Sequence, residues 1–234
     1  MKFAVMQPYF MPYIGYFQLM RAVDVFVVYD NVQFIKNGWI NRNRFLNGGE
    51  AKFFTVPVTK GTHDDLISER HIASKIWLRE RKKLCVTLRH AYRKAPYFDE
   101  VFPMLESCIS FETEKIFPLV EHSLLQLHQY LDIQTKIVNA SGLAFDQSLK
   151  AKHRLFSISK KLNIKNYINP EGGGDLYDVE DFRANGLNLS FLRANLTPYK
   201  QFNNDFVPGL SIIDVMMFNG KKGAQKMLDE FTLV

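Results

Sequence analysis

Residues 6–34 read MQPYFMPYIGYFQLMRAVDVFVVYDNVQF, and the fold turns on how this stretch is parsed. The apolar run Phe3–Met6 leads into it, and a second run, VFVVY at 25–29, lies inside it. Both have the length and composition of buried strands. Between them PYIGYFQLMRAVD, residues 12–24, carries apolar residues at helical spacing. Strand, helix and strand in that order make a β-α-β unit, with a connection long enough for a right-handed crossover between parallel strands. The reading predicts an α/β fold built on an N-terminal β-α-β unit and a Rossmann-like, partly parallel sheet. It also places a binding site at the carboxyl ends of those strands, beside Gln7 and Asp30.

Working outward, GWINRNRFLNGGEAKFFTVPV at 38–58 holds two strand-like runs separated by LNGGE, a turn of the kind Asn-Gly gives, and predicts a β-hairpin. Residues 74–94, 97–108 and 112–131 have helical periodicity, broken or started by Pro96 and Pro118, and form a helical middle segment. Beyond IVNASGL at 137–143, a helix is expected over 149–163, a strand at 167–169, a loop at PEGGGD, a strand over 189–196, and helices over 211–218 and 220–230. No repeat or linker interrupts the chain, so residues 1–234 are expected to form one domain.

Hydrophobic residues make up 47% of the chain and charged residues 23%, which excludes a disordered or fibrous protein. The apolar start before Gln7 is too short for a signal peptide, and no run approaches the roughly 20 residues of a membrane span. Cys85 and Cys108 are the only thiols, which argues against a disulfide framework and for the cytoplasm. A net charge of +6 favours a polyanionic partner such as a nucleotide diphosphate, a coenzyme or an RNA backbone. Residues 75–94 hold eight Lys and Arg against one Glu, read as a solvated helix face around Ile76, Leu84, Leu88 and Tyr92.

The polar cluster nearest a strand end is Asp30, Asn31, Gln33, Lys36, Asn41, Arg42, Asn43 and Arg44. Asp30 is its sole carboxylate and the candidate base for an attacking amine, with a turn or cap as its plain alternative. Lys36, Arg42 and Arg44 offer charge for a diphosphate. Strand alternation sends Asn41 and Asn43 to one face and the arginines to the other, with the asparagines expected inside and one arginine wrapping round the edge. Gln7 offers an uncharged amide, and Tyr9, Tyr13 and Tyr16 offer rings and hydroxyls, although aromatic residues at helical spacing also serve as core. His90, on the basic helix, is the imidazole candidate for acid-base work. The six histidines, His63 included, show no spacing that pairs with cysteine, so no structural zinc is expected. Ser211 and Asp214 have the spacing of an N-cap and its first-turn carboxylate.

The runs QPYFMPYIGYFQLMRAVDVFVVYDNVQFIKNGWINRNRF, WLRERKKLCVTLRHAYRKAPYF and FVPGLSIIDVMMFNG together resemble the WbqC-like family, in order and over nearly the whole chain. The resemblance implies a cytosolic protein of O-antigen or other surface-glycan biosynthesis. It implies modification of the amino group of a nucleotide-linked amino sugar, such as a dTDP-4-amino-4,6-dideoxyhexose, by a glycyl, aminoacyl or other acyl group. Aminoacyl-tRNA is one donor consistent with it; the donor, any cofactor and the oligomeric state are left unassigned. A non-catalytic nucleotide-sugar-binding or assembly protein of the same pathway is the alternative. Gly172, Gly173 and Gly174 resemble the glycine-rich loop the family places after its late strand, where positive φ would let a ligand approach backbone N–H groups, and Tyr177, Tyr199 and Gln201 would complete the pocket. A more distant likeness is to the H-x-G-H signature of nucleotidyltransferases, in whose place stand Tyr13, Ile14, Gly15 and Tyr16. The glycine would admit a ligand, but the two charge-donating histidines are tyrosines.

Overall fold

The structure is a computed structural model that describes residues 1–234 except His63, Gln147 and Asn204, with Asp175 and Leu176 described by their backbone alone. Strand β1 (Lys2–Met6), helix α1 (Ile14–Arg21) and strand β2 (Val25–Val28) form the β-α-β unit, with Phe3 beside Val25 and Met6 beside Val28 in parallel register. The hairpin follows as β3 (Arg42–Asn47) and β4 (Glu50–Thr55), a separate two-stranded sheet. Its turn residues Gly48 and Gly49 have φ of 64° and 82°, which is why glycines stand there.

The helical middle comprises α2 (Ser74–Tyr92), α3 (Phe98–Ser110) and α4 (Ile116–Tyr130). Pro118 is tolerated because it lies in the first turn of α4, where a backbone donor would have no helical acceptor. Strand β5 (Lys136–Asn139), helix α5 (Ala151–Leu162), strand β6 (Asn166–Pro170), helix α6 (Val179–Ala184), strand β7 (Asn188–Ala194), helix α7 (Ile212–Leu228) and strand β8 (Phe231–Leu233) complete the chain. Helix α7 is kinked at Gly220, with φ 61° and ψ −173°, one residue past the break expected between helices over 211–218 and 220–230.

The main sheet has the order β5-β2-β1-β6-β7-β8, parallel except for β8. From β1 the chain steps out through β2 to β5, then returns to β6 on the other side of β1 and continues to β7. The direction of winding therefore reverses between β1 and β6, the place where open α/β sheets hold ligands beyond their carboxyl ends. Both faces are covered. Ala4, Phe26 and Val28 pack with α1, α3, α4, α7 and the hairpin residues Phe45 and Phe54, whereas Phe3, Val5, Val25 and Val27 pack with Leu155, Phe156 and Ile158 of α5 and Phe182 of α6. Burial on both faces is why VFVV is apolar throughout rather than alternating.

Three elements were not expected from sequence: β5, α6 and β8. In place of the loop expected at PEGGGD, residues 171–176 wind into a 3-10 turn, and none of Gly172, Gly173 and Gly174 has a positive φ. The conformational reason for a glycine run is therefore absent from this turn. A Cβ on Gly173 would instead fall 2.3 Å from the amide nitrogen of Asn169.

Candidate functional site

Beyond Met6 the chain runs through Gln7-Pro8-Tyr9-Phe10-Met11-Pro12-Tyr13 before α1 begins, and Met11 adopts φ 47°, a left-handed conformation costly for a non-glycine residue. Its carbonyl is held from two sides, by Asn43 Nδ2 at 2.8 Å and by Ser211 Oγ at 2.6 Å. The Arg44 carbonyl accepts from Ser211 N at 2.8 Å, and Pro12 accepts from Ile212 N at 2.8 Å. The loop after β1, strand β3 and the start of α7 are thereby laced into one corner.

That corner encloses a pocket of about 290 Å3 lined by Tyr9, Tyr13, Trp39, Asn43, Arg44, Leu196 and Gly209. Tyr9 and Tyr13 follow β1 and Leu196 follows β7, so the pocket lies beyond the carboxyl ends of the parallel strands. Arg44 reaches it from the edge of β3, where Nη2 donates to Gly209 O at 3.0 Å and Nε is buried with no protein acceptor. Burial raises the Tyr13 hydroxyl above its ordinary pKa, and burial with the neighbouring Tyr13 does the same for Tyr9. Both phenols are therefore proton donors at neutral pH. The pocket supplies aromatic walls, hydroxyl donors and one cation, the chemistry of a sugar or an anionic heterocycle rather than of a metal. Among the described residues no three His, Cys, Asp or Glu gather as a metal site, and His63 lies outside them.

Next to this corner is a buried carboxylate that sequence reading assigned to a helix cap. Ser211 does cap α7, accepting from Ile213 N at 3.3 Å, but Asp214 points into the interior. It accepts hydrogen bonds from Tyr92 Oη at 2.8 Å, Tyr199 Oη at 2.6 Å and Gln201 Nε2 at 2.6 Å. Tyr92 in turn accepts from Leu46 N at 2.8 Å, so the network ties α2, α7 and the hairpin together. Burial raises the Asp214 pKa, and the three donated bonds oppose it.

The residues singled out from sequence fall into several places. Tyr9, Tyr13, Asn43 and Arg44 line the pocket; Asn43 also clamps the loop. Asn41 faces inward as alternation requires and spends its amide on Val56 O at 2.8 Å. Arg42 faces outward, donating to the carbonyls of Asn37 and Gly38. Gly15 makes room for a protein ring and not for a ligand, because a Cβ there would stand 2.4 Å from the Tyr13 ring. Tyr16 is core, packed against Tyr9, Phe17 and Phe26 while its hydroxyl donates to Gln7 O at 3.1 Å. Gln7 is half-buried at the end of β1.

Asp30 is buried, and its carboxylate accepts from Ser141 N at 2.9 Å, joining the end of β2 to the turn after β5. Asn31 is beside it, its carbonyl accepting from Arg154 at 3.1 Å. Gln33 and Lys36 line a different and larger groove of about 800 Å3, with Val58–Thr62 and Arg70 opposite. His90 borders a third, of about 640 Å3, at the Gly48–Gly49 turn. Gly172–Gly174 and Tyr177 lie at the end of β6, where Tyr177 packs on Tyr167 and Phe182. Of Asp175, next in that turn, only the backbone is described. Both thiols are poor nucleophiles: burial pushes Cys108 up to about 12 and raises Cys85 as well. Sequence reading missed Trp39, Leu196 and Gly209; the one available signal was an aromatic residue, Trp39, two positions before the polar NRNR run at 41–44.

A sequence model of the WbqC-like protein family matches residues 7–226. The uncharacterized protein Rv1507c of Mycobacterium tuberculosis (strain ATCC 25618 / H37Rv) is 28% identical over 221 residues, covering 93% of each chain. No solved structure matches. The family match begins at Gln7, the first residue past β1, and so takes in the pocket-lining residues from Tyr9 to Gly209.

Proposed function

The chain belongs to the WbqC-like protein family, and from that premise we propose that it is a cytosolic transferase that acylates the amino group of a nucleotide-linked amino sugar in surface-glycan biosynthesis. The observation that carries the reading is the pocket of Tyr9, Tyr13, Trp39, Asn43 and Arg44 at the carboxyl edge of the sheet. Aromatic faces suit a dideoxy sugar, whose missing hydroxyls leave apolar carbon exposed, and Arg44 suits a phosphate. The sugar amine attacks the carbonyl of an activated acyl donor, a C–N bond forms, the bond to the donor's oxygen or sulfur breaks, and the amine's proton leaves with that group. For an activated donor this step needs chiefly orientation, which a preformed pocket supplies.

Among the described residues that line it, none is a carboxylate or imidazole, and this favours a second reading, a carrier that binds the nucleotide sugar without turning it over. Incubation with a dTDP-4-amino-4,6-dideoxyhexose and, in turn, glycyl-tRNA, glycine with ATP, or acyl-coenzyme A separates the two by mass spectrometry. A mass gain equal to the acyl group supports the transferase. Binding without any gain selects the carrier, and no binding removes both.

A further inference from the structure

The volume of the pocket sets a limit. At about 290 Å3 it lies at the lower end of the roughly 300–1,000 Å3 that holds a drug-sized ligand. It accommodates one ring, and a nucleotide sugar carries a hexose, a pentose and a base. Most of such a substrate must therefore rest outside the pocket, on surface adjoining it.

One wall of the pocket continues onto that surface. Trp39 lines the pocket yet is 38% exposed, and Phe53, from β4, is 55% exposed beside it. Their rings stack at 6.2 Å with planes 26° apart. Large apolar side chains left in solvent side by side need a reason, since burying them would stabilise the fold. Their support is rigid. The Arg42 guanidinium lies 5.0 Å from the Phe53 centroid and 5.8 Å from that of Trp39, and is itself anchored on the carbonyls of Gly38 and Asn37. Arg44, which also lines the pocket, approaches Trp39 at 5.8 Å, so a cation of the pocket wall adjoins the aromatic surface. Aromatic surface, cation and aromatic-walled pocket thus adjoin one another, as base, diphosphate and sugar do in such a substrate.

We propose that Trp39 and Phe53 form a shelf on which the nucleobase of a nucleoside diphosphate-linked substrate stacks. The inference rests on the nucleotide-sugar reading above and adds to it where the base sits. Stacking on a ring face is tolerant of base identity, so the shelf takes pyrimidine and purine diphosphates alike, while the pocket discriminates among sugars.

Titration with dTDP, UDP and GDP, followed by tryptophan emission, tests the shelf, with inorganic pyrophosphate as the probe that fills the cation site without a base. The chain's other tryptophan, Trp77, is buried and contributes a constant background. The nucleotides quench the native protein, pyrophosphate does not, and Trp39→Leu abolishes the quench. By calorimetry, Trp39→Leu and Phe53→Leu each raise the Kd of a dTDP-amino sugar, for Trp39 by roughly five- to a hundredfold. Equal affinity of Trp39→Leu and native protein for that ligand overturns the shelf and leaves the nucleotide-sugar reading in place. Absence of any nucleotide binding to the native protein overturns both.

Discussion

Arg44 meets the pocket with one nitrogen satisfied by Gly209 and another, Nε, buried without an acceptor. A phosphate oxygen would satisfy it with a charge-assisted bond, so Arg44→Gln should raise the Kd of a dTDP-amino sugar about ten- to a hundredfold by calorimetry. Lys82→Gln, on the solvent side of α2, should change it less than twofold, because screening acts beyond roughly 8 Å at physiological salt. Equal losses would point to a long polyanion lying over the basic helix. Asp214 makes a prediction about pH. Its folded pKa is raised, so the native state binds this proton more tightly than the unfolded chain does. Its contribution favours folding at low pH and fades as pH rises from the ordinary carboxylate value through the raised one. In Asp214→Asn that fading is removed, so the native protein's stability relative to the variant should fall with rising pH across that window, as urea unfolding at a series of pH values would register. Parallel curves would show an unperturbed carboxylate. Alternation along β3 made Asn43 and Arg44 legible in the sequence. The role of Asp214 was not, because its spacing from Ser211 reads the same whether its partner is its own helix end or Tyr92, 122 residues away.

Helix α7 shows what a single glycine does for an element. At φ 61° and ψ −173° Gly220 occupies a conformation open essentially to glycine alone, and a Cβ there would lie 2.5 Å from the Tyr97 ring. Gly220→Ala should lower stability by about 2 kcal/mol or more in urea unfolding, through strain and displacement of Tyr97 together. A loss below about 0.5 kcal/mol would show that the helix straightens without cost. A break one residue before the glycine in MMFNGKK was visible, and so were the β-α-β unit and the hairpin, whose periodicity is strong. The short strand β5 is only half-buried, so KIVN carries little apolar signal. Strand β8 exists through pairing of Leu233 with Leu192 and Phe231 with Ala194 across the sheet edge, a tertiary cause with no local trace.

At the scale of the molecule, the order of the sheet decides which polar residues meet. The sequence places Asp30 and Arg44 in one run of 15 residues, and the fold separates them. Asp30 turns to the backbone of Ser141 beyond β5, whereas Arg44 turns with the hairpin toward α7 and the ends of β1 and β7. Neither the strand order nor the meeting of Tyr9, Trp39, Leu196 and Gly209 follows from local pattern, because each depends on contacts spanning most of the chain. The central claim is that this meeting point receives the amino sugar of a nucleotide-linked substrate. A crystal soaked with a dTDP-4-amino-4,6-dideoxyhexose tests it most directly. The account predicts the amino sugar between Tyr9 and Tyr13 with a phosphate oxygen on Arg44. Ligand density in the groove between Gln33 and Arg70, or at the Gly172–Gly174 turn, with the pocket empty, would contradict it.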